Sequence, residues 1–287
     1  MKISTEIASV AKLVGEAKAV ELVAKAGFDA WDFSMIEMGR INWGTRQLIP
    51  SDHPLTQPNY LAFARQLRKI GEDNGIHCNQ SHAPFPVEVP AILSMQKRAI
   101  ECTAEAGGRI CLIHPDNKKS AEGNAEMYWE LLPFAKGCGV KIATENMWNW
   151  DKALDQAAPA ACSDPASFNA HLDAVNDPAF VACLDLGHAE MRGLNTTAVD
   201  MIHALGSRLQ ALHIHDNDRW HDSHQLPFTM DMQFEPIVRA LKEIGYSGYF
   251  TLEVDRYPGA FTADTAFTCV QNMAATARKL ADMFETI

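Results

Sequence analysis

The feature that most constrains the fold is a regular alternation of short apolar segments with amphipathic helical segments along the whole chain. The apolar segments are short and do not alternate with polar residues, which is typical of strands buried on both faces of a parallel sheet. Between them, Tyr60, Phe63 and Leu67 show the three- and four-residue spacing of one apolar helix face. Strands are predicted at residues 2–4, 28–32, 77–81, 109–113, 141–144, 180–184, 209–214 and 249–252.

Helical patterns fill the gaps between these strands. They cover residues 10–26, 60–70, 91–106, 125–136, 165–175, 197–205, 234–244 and 262–284. Eight strands and eight helices in 287 residues are what a closed (β/α)8 TIM barrel needs. An open doubly wound sheet normally has a glycine-rich turn after its first strand, whereas residues 4–8 here read STEIA. We therefore predict an α/β fold, a single-domain TIM barrel spanning residues 1–287.

Charge and cysteine content limit the possible partners. Asp and Glu number 36 against 25 Lys and Arg, and this net charge of −11 disfavours binding to a phosphate backbone. The 7 cysteines form no CxxC pair, which favours free thiols in a reducing compartment. Glu6 and Lys12 interrupt the apolar N-terminal segment, and no stretch reaches the roughly 20 apolar residues of a membrane span. We expect a cytoplasmic protein with neither nucleic acid nor a membrane as its partner.

Two connections are longer than the others and contain tryptophans. Residues 34–58 include Trp43, and residues 146–164 include Trp148 and Trp150. Long loops after barrel strands are candidate lids or substrate walls, which makes Trp148 a candidate substrate contact. The alternative, that these tryptophans pack against a neighbouring subunit, stays open.

Ionisable residues follow six consecutive predicted strands, the third to the eighth. In a β/α barrel, these strand ends meet at the face that carries the active site. Carboxylates brought together there repel one another unless a cation compensates them, which favours a divalent metal ion. The residues are His82, His114, Glu145, Asp185 with His188, His213 with His215, and Glu253.

Residue type and position indicate which of these side chains bind the metal. We expect the ligands to be Glu145, Asp185, His215 and Glu253, which follow the fifth to eighth strands. Three carboxylates and one imidazole favour a hard or borderline ion, with Mn²⁺ expected first and Mg²⁺, Co²⁺ or Zn²⁺ as alternatives. His213 points to the same face as His215 by the two-residue period of a strand. We select His215 because it lies at the strand end, and expect His213 deeper in the barrel.

Together these motifs resemble the xylose-isomerase-like TIM-barrel superfamily of sugar isomerases and epimerases. The chain is similar to ketose 3-epimerases, hydroxypyruvate isomerases and inosose dehydratases, and more distantly to endonuclease IV. The resemblance covers nearly the whole chain. It rests on the segments CLDLGH at residues 183–188, HIHDN at 213–217, DSHQLP at 222–227, GYSG at 245–248 and TLE at 251–253.

The resemblance implies a metal-dependent sugar isomerase or epimerase, with a small sugar as substrate and a homo-oligomeric assembly. Glu145 and Glu253 would exchange a proton through an enediolate. The ketose epimerases place an arginine six residues after the metal histidine, where this chain has His221, so the nearby Arg219 is the candidate replacement. The expected substrate contacts are His82, His114, His188, Arg219, His224 and Trp148.

Three alternatives remain beside the sugar isomerase. An inosose-type dehydratase would use the same metal residues. An endonuclease-IV-like phosphodiesterase would bind up to three zinc ions, and this chain has residues similar to much of that set: His82, His114, Glu145, Asp185, His188, His215, Asp222, His224 and Glu253. The negative charge of the chain and its aromatic, acidic loops disfavour the nuclease. The third alternative is a non-catalytic barrel that binds a sugar or a partner protein.

Overall fold

The structure, a computed structural model, describes all residues from 1 to 287 and is built around a ring of parallel strands. The strands are β1 (Lys2–Thr5), β2 (Ala30–Ser34), β3 (Ile41–Asn42), β4 (Gln47–Leu48), β5 (His77–His82), β6 (Ile110–Leu112), β7 (Lys141–Glu145), β8 (Trp148–Asp151), β9 (Gln156–Pro159), β10 (Phe180–Asp185), β11 (Leu209–His213) and β12 (Tyr249–Leu252).

The ring closes because the first and last strands pair. Strands β2, β5, β6, β7, β10 and β11 form one parallel sheet in that order, and β12 pairs in parallel with β1. The bridges Glu6–Asp32 and Ile214–Leu252 join the two sheets at both seams. The predicted (β/α)8 TIM barrel is therefore confirmed, and all eight predicted strands are present within two residues of their predicted ends.

Helices surround the barrel on its outer side. They are α1 (Ala8–Val14), α2 (Glu16–Lys25), α3 (Tyr60–Asp73), α4 (Pro90–Leu93), α5 (Gln96–Glu105), α6 (Ala121–Gly137), α7 (Pro165–Val175), α8 (Leu186–Ala189), α9 (Ala198–Leu205), α10 (Phe234–Glu243) and α11 (Ala266–Thr286). The predicted first helix is divided in two because Gly15 has φ 80°, a left-handed conformation that interrupts the helix.

Both long connections contain a small antiparallel hairpin that the sequence analysis did not predict. Strands β3 and β4 pair in the first connection, and β8 and β9 pair in the second. Each hairpin lies beyond the C-terminal end of a barrel strand, which is the end where the site residues gather. The hairpins therefore form the walls of the cavity described below.

The core lies between the barrel and the helices. A single cluster of 67 buried hydrophobic residues runs around the ring, and Trp31, Phe33 and Phe250 are among its fully buried side chains. This layer fixes the positions of the strand ends to which the site residues are attached. None of the helices is both long and apolar enough to cross a membrane.

Candidate metal and active site

A cavity of about 470 Å³ opens at the C-terminal ends of the barrel strands. Its volume lies in the range of small-molecule sites, and it is lined by polar and aromatic side chains. Lys12 is the one lysine or arginine among the lining residues. The candidate site residues that line it are His82, His114, Glu145, Trp148, His188, His224 and Glu253.

Four side chains form an inner cluster at the bottom of this cavity: Glu145, Asp185, His213 and Glu253. Each offers one ligand atom, and these atoms lie within 4.8 Å of one another. His213 Nδ1 lies 2.7 Å from Glu145 Oε1 and 3.4 Å from Glu253 Oε2. Glu145, Asp185 and His213 are at the last positions of β7, β10 and β11, and Glu253 directly follows β12. Four neighbouring strand ends thus supply the inner cluster.

Two further histidines extend the inner cluster on the side of β5 and β6. His114 Nε2 lies 2.8 Å from Glu145 Oε2 and 2.9 Å from His82 Nε2. Glu145 therefore directs one carboxylate oxygen at His213 and the other at His114. His82, His114 and Glu145 are themselves close enough to bind one ion together.

An outer cluster lies on the other side, towards the loop that follows β11. It consists of His188, His215, Asp222 and His224. Asp222 Oδ2 lies 3.3 Å from His188 Nε2 and 3.1 Å from His224 Nε2. His215 Nε2 lies 3.1 Å from Asp185 Oδ1, so Asp185 connects the outer cluster to the inner one.

The imidazole rings are oriented as metal-binding histidines usually are, with one nitrogen held by an oxygen acceptor and the other aimed at the cluster. His82 Nδ1 donates to the carbonyl oxygen of Ala83, and His188 Nδ1 donates to that of Asn146, each at 2.8 Å. His224 Nδ1 donates to the Glu253 carbonyl oxygen at 2.8 Å. In all three rings, Nε2 is the nitrogen left facing the other ligand candidates.

The carboxylates of the two clusters have no lysine or arginine partner. Glu145, Asp185, Asp222 and Glu253 make their ion pairs with histidines. Asp185 Oδ2 and Asp222 Oδ1 are buried without any hydrogen-bond donor. Because a buried carboxylate oxygen without a partner is costly, these orphaned atoms fit a site designed to hold a cation. The residues therefore fit at least one divalent ion, with the inner cluster as its four-ligand site.

Burial and neighbouring charges separate the protonation behaviour of the two glutamates. Burial raises the pKa of Glu145, but His213 and His114 outweigh it and hold that pKa well below its ordinary value. Burial also raises the pKa of Glu253, and here the nearby carboxylates of Glu145 and Asp185 add to it, so that the pKa lies well above its ordinary value. His213 and His224 oppose this rise without cancelling it.

Burial and neighbouring charges also shift the pKa values of the histidines. Burial and then His114 lower the pKa of His82 to about 3, which keeps this ring neutral and able to bind a metal. His188 responds in the opposite direction, because Asp185 and Asp222 overcome the effect of burial and raise its pKa to about 10. His82 and His188 therefore differ in their neighbours: a second histidine lies beside His82, and two carboxylates lie beside His188.

Gly187 leaves the space that the His215 ring occupies. A Cβ at residue 187 would overlap the His215 imidazole, so only glycine allows the ring to pack against this turn of the chain. The ring then stacks on His224, with centroids 4.0 Å apart. His215 is therefore held against α8 and the loop after β11, within the outer cluster.

On the seventh barrel strand, the histidine that lies beside the two glutamates differs from the expected one. His215 was expected as the ligand because it lies at the predicted strand end, with His213 deeper in the barrel. The structure brings His213, rather than His215, next to Glu145 and Glu253. The strand ends at His213, and the chain then bends so that His215 turns towards Asp185 and Asp222. Period-two reasoning fails here because it holds only within a strand.

Arg219 is the expected substrate contact that the structure places elsewhere. It does not line the cavity, since its guanidinium lies 3.4 Å from the Glu190 carboxylate. The other expected contacts do line the cavity. Asp32 was not selected from the sequence, where it is signalled only by a charge within the apolar strand AWDFS. Asp222 was named only for the endonuclease-IV-like alternative, because it lies in a loop without periodicity.

Comparison with known proteins agrees with this architecture. The profile of the family described as "Xylose isomerase-like TIM barrel" matches residues 20–286. The chain belongs to this family. A curated relative, the uncharacterized protein MJ1311 of Methanocaldococcus jannaschii, is 24% identical over 252 residues, which are 82% of this chain and 77% of the relative.

Several solved structures share the fold over their full length. An IOLI protein solved with a binding zinc atom has a TM-score of 0.71 and 19% identity, covering 100% of this chain and 99% of the other. A D-tagatose 3-epimerase-like protein has a TM-score of 0.70 and 18% identity, with 98% and 99% coverage. An L-ribulose 3-epimerase has a TM-score of 0.70 and 16% identity, with 100% and 95% coverage. At these identities the likeness establishes the shared barrel.

Proposed function

We propose that the chain is a divalent-metal-dependent sugar isomerase or epimerase that moves a proton through an enediolate of a ketose or related keto-sugar. The observation that carries this proposal is the inner cluster. Two glutamates border the cavity and both approach His213 Nδ1, at 2.7 Å and 3.4 Å. Similarity to 3-epimerases of D-tagatose and L-ribulose type supports the same reading.

The proposed ligands are Glu145, Asp185, His213 and Glu253, with Mn²⁺ as the first expectation because three carboxylates and one imidazole suit a hard or borderline ion. When bound, the ion would stabilise the negative charge that develops on the substrate oxygens as a proton leaves carbon. The zinc atom in the similar IOLI structure supports a divalent ion in this fold.

The two glutamates are the proposed acid and base. One carboxylate removes the proton from the carbon next to the carbonyl group, and a carboxylic acid returns a proton to the resulting enediolate. Return to the same carbon from the opposite face gives an epimer, and return to the neighbouring carbon gives an isomer. His82, His114, His188 and His224 line the cavity within reach of substrate hydroxyls, and Trp148 forms a wall next to His188, with ring centroids 6.4 Å apart.

Deuterium exchange tests this function. Ketoses, inososes and their phosphates are incubated with the Mn²⁺-loaded protein in D₂O, and proton spectra are recorded after the Mn²⁺ is removed. We expect deuterium to enter a carbon next to a carbonyl, and its position separates a 1,2-isomerase from a 3-epimerase. Exchange accompanied by loss of water would identify the inosose-type dehydratase instead. Absence of exchange across the panel would contradict the proposed function.

The arrangement of three ligand groups favours one other candidate, a multinuclear metal phosphodiesterase. His82, His114 and Glu145 form one group, the inner cluster a second and the outer cluster a third. Three ions along these groups would resemble the zinc set of endonuclease IV. The net charge of −11 and a cavity with Lys12 as its one lysine or arginine oppose binding of a polyanion. Metal analysis separates the two, since one ion per chain fits the sugar enzyme and three ions with cleavage of abasic DNA fit the nuclease.

We also propose a homo-oligomer in the reducing cytoplasm. All seven cysteines are free, and six of them are buried, which suits a reducing compartment. Trp43, Leu48 and Ile49 expose large apolar surfaces on the β3–β4 hairpin, at the edge of the cavity, where a second copy could cover them. Light scattering coupled to size-exclusion chromatography tests the assembly, and a strictly monomeric mass would contradict it.

A further inference from the structure

Asp32 is a buried carboxylate in the barrel interior that the proposed proton transfer does not use. It lies in the middle of β2, is 0% exposed, and has no lysine or arginine partner. Its Oδ1 atom has no hydrogen-bond donor at all. An ionised group in such a place is expensive unless other groups compensate it, so its contacts need an explanation.

Asp32 accepts both of its side-chain hydrogen bonds through Oδ2, one from the neighbouring strand β5 and one from across the barrel. Gln80 Nε2 on β5 donates to it at 2.9 Å, and His213 Nε2 on β11 donates to it at 3.2 Å. Strands β2 and β11 are not neighbours in the ring, because β12 and β1 lie between them. Asp32 therefore spans the interior to contact one particular imidazole, which is the ring of the inner cluster.

Gln80 is itself held in the orientation that serves Asp32. Its side-chain oxygen accepts from Asn79 Nδ2 at 3.1 Å and from Thr251 Oγ1 at 3.3 Å. With the oxygen end occupied, the NH₂ end of the amide points at Asp32. The Asp32 carboxylate therefore has one donor in a fixed position, the Gln80 amide. Its other hydrogen bond, from His213 Nε2, restrains the ring orientation of that histidine.

We propose that Asp32 is the positioning residue of the metal site: it accepts the Nε2 proton of His213 and thereby presents Nδ1 as the ligand atom to Glu145, Glu253 and the bound ion. This inference rests on the proposed metal dependence. A hydrogen bond from the far nitrogen to a carboxylate fixes both the tautomer and the ring orientation, and it makes the other nitrogen a stronger ligand. Asp32 touches no substrate and acts only through His213.

The same hydrogen bond also distinguishes His213 from His215. His215 has no carboxylate behind its ring, and its Nδ1 contact is a carbonyl oxygen of Asp216 at 3.4 Å. His213 has the Asp32 carboxylate at Nε2 and two glutamates at Nδ1. Of these two rings, only His213 has a carboxylate at each nitrogen.

The test compares Asp32→Asn and Asp32→Ala with wild type and with Ser81→Ala. Asparagine keeps an acceptor but loses the charge, and alanine loses both. Ser81 is a matched control because it is buried on β5, as Gln80 is, but bonds Thr103 rather than Asp32. Isothermal titration with Mn²⁺ gives the affinity, the visible spectrum of the Co²⁺-loaded protein reports the ligand field, and urea unfolding in EDTA gives the stability without metal.

We expect wild type and Ser81→Ala to bind Mn²⁺ alike. Asp32→Asn should bind it about 10-fold more weakly and Asp32→Ala about 100-fold more weakly, with a changed Co²⁺ spectrum in both. If both Asp32 variants unfold at lower urea yet bind Mn²⁺ with wild-type affinity and an unchanged Co²⁺ spectrum, Asp32 is merely structural and the proposal is overturned. If wild type itself binds no ion, the metal-dependent function fails first, and the positioning role falls with it.

Discussion

The inner and outer clusters contain similar residue types but are built on different parts of the fold. Three of the four inner residues occupy the last positions of barrel strands, and Glu145, Asp185 and His213 are at most 1% exposed. The outer cluster depends on the loop after β11, where the side chains of Asp222 and His224 are 16% and 13% exposed. His224 also has φ 41°, an uncommon conformation for a histidine. Strand ends hold the inner cluster, whereas Asp222 and His224 of the outer cluster depend on how one loop folds.

This difference suggests that the two clusters have different roles in the proposed reaction. Catalytic groups need fixed geometry, which strands supply better than loops. Loops instead vary between relatives that share one barrel, so they suit the selection of substrate. We therefore propose that the inner cluster carries out proton transfer and that the outer cluster contacts the substrate, and the following variants test this assignment.

The largest effect is expected for Glu145→Gln. This glutamate belongs both to the inner cluster and to the group with His82 and His114, and it is also a proposed acid/base residue. Its loss therefore removes a proposed metal ligand and a proton carrier together. We expect kcat/KM to fall by about 1,000-fold or more while the circular dichroism spectrum stays native. Glu253→Gln should behave similarly, and Glu235→Gln on α10, which is exposed and pairs with Arg239, is the control. Near-normal turnover of Glu145→Gln would remove the inner cluster from the chemistry.

The two histidines of the seventh barrel strand allow a direct comparison between the clusters, because His213 belongs to the inner one and His215 to the outer one. His213→Asn should lower the Mn²⁺ affinity and the activity more than His215→Asn does, by about 10-fold or more, because His213 is the ring between the two glutamates. Metal titration and steady-state kinetics on both variants give the ranking. The reverse ranking would restore His215 as the ligand.

Metal binding should stabilise the fold through the inner cluster. At an ion concentration of 100 times Kd, linkage predicts about 2.7 kcal/mol of added free energy of unfolding. Urea unfolding with and without Mn²⁺ measures this difference. Asp222→Asn should keep most of the gain, and His213→Asn should lose it. Equal losses in both variants would mean that the two clusters act as one site.

Gly187→Ala should perturb the outer cluster selectively. The new Cβ would overlap the His215 ring, and overpacking of this kind costs about 1–3 kcal/mol. We expect a lower free energy of unfolding and a raised KM, with Mn²⁺ affinity changed less than threefold. A loss of Mn²⁺ affinity as large as that of His213→Asn would show that His215 supports the inner ion directly.

The smallest effect is expected at the cavity wall. Trp148→Ala removes an aromatic surface beside His188 without touching the inner cluster. We expect KM to rise about 10-fold with kcat little changed, since a wall residue contributes binding that is the same in the ground state and the transition state. A fall in kcat with unchanged KM would place Trp148 nearer the reacting carbon than the structure suggests.

The sequence predicted the barrel and the strand ends well because both depend on local periodicity. Glu145, Asp185 and Glu253 directly end or follow apolar strands, so their common location follows from the barrel topology. His215 was selected over His213 because local periodicity predicts neither the end of β11 at His213 nor the packing of His215 against Gly187. The importance of Asp32 depends on a contact across the barrel between strands that are distant in sequence.

The most direct test of the central claim is anomalous diffraction from crystals of the Mn²⁺-loaded protein, recorded at the manganese absorption edge. The account predicts a peak surrounded by Glu145, Asp185, His213 and Glu253, with Asp32 behind the imidazole. A peak confined to His188, Asp222 and His224, with none at the inner cluster, would contradict it.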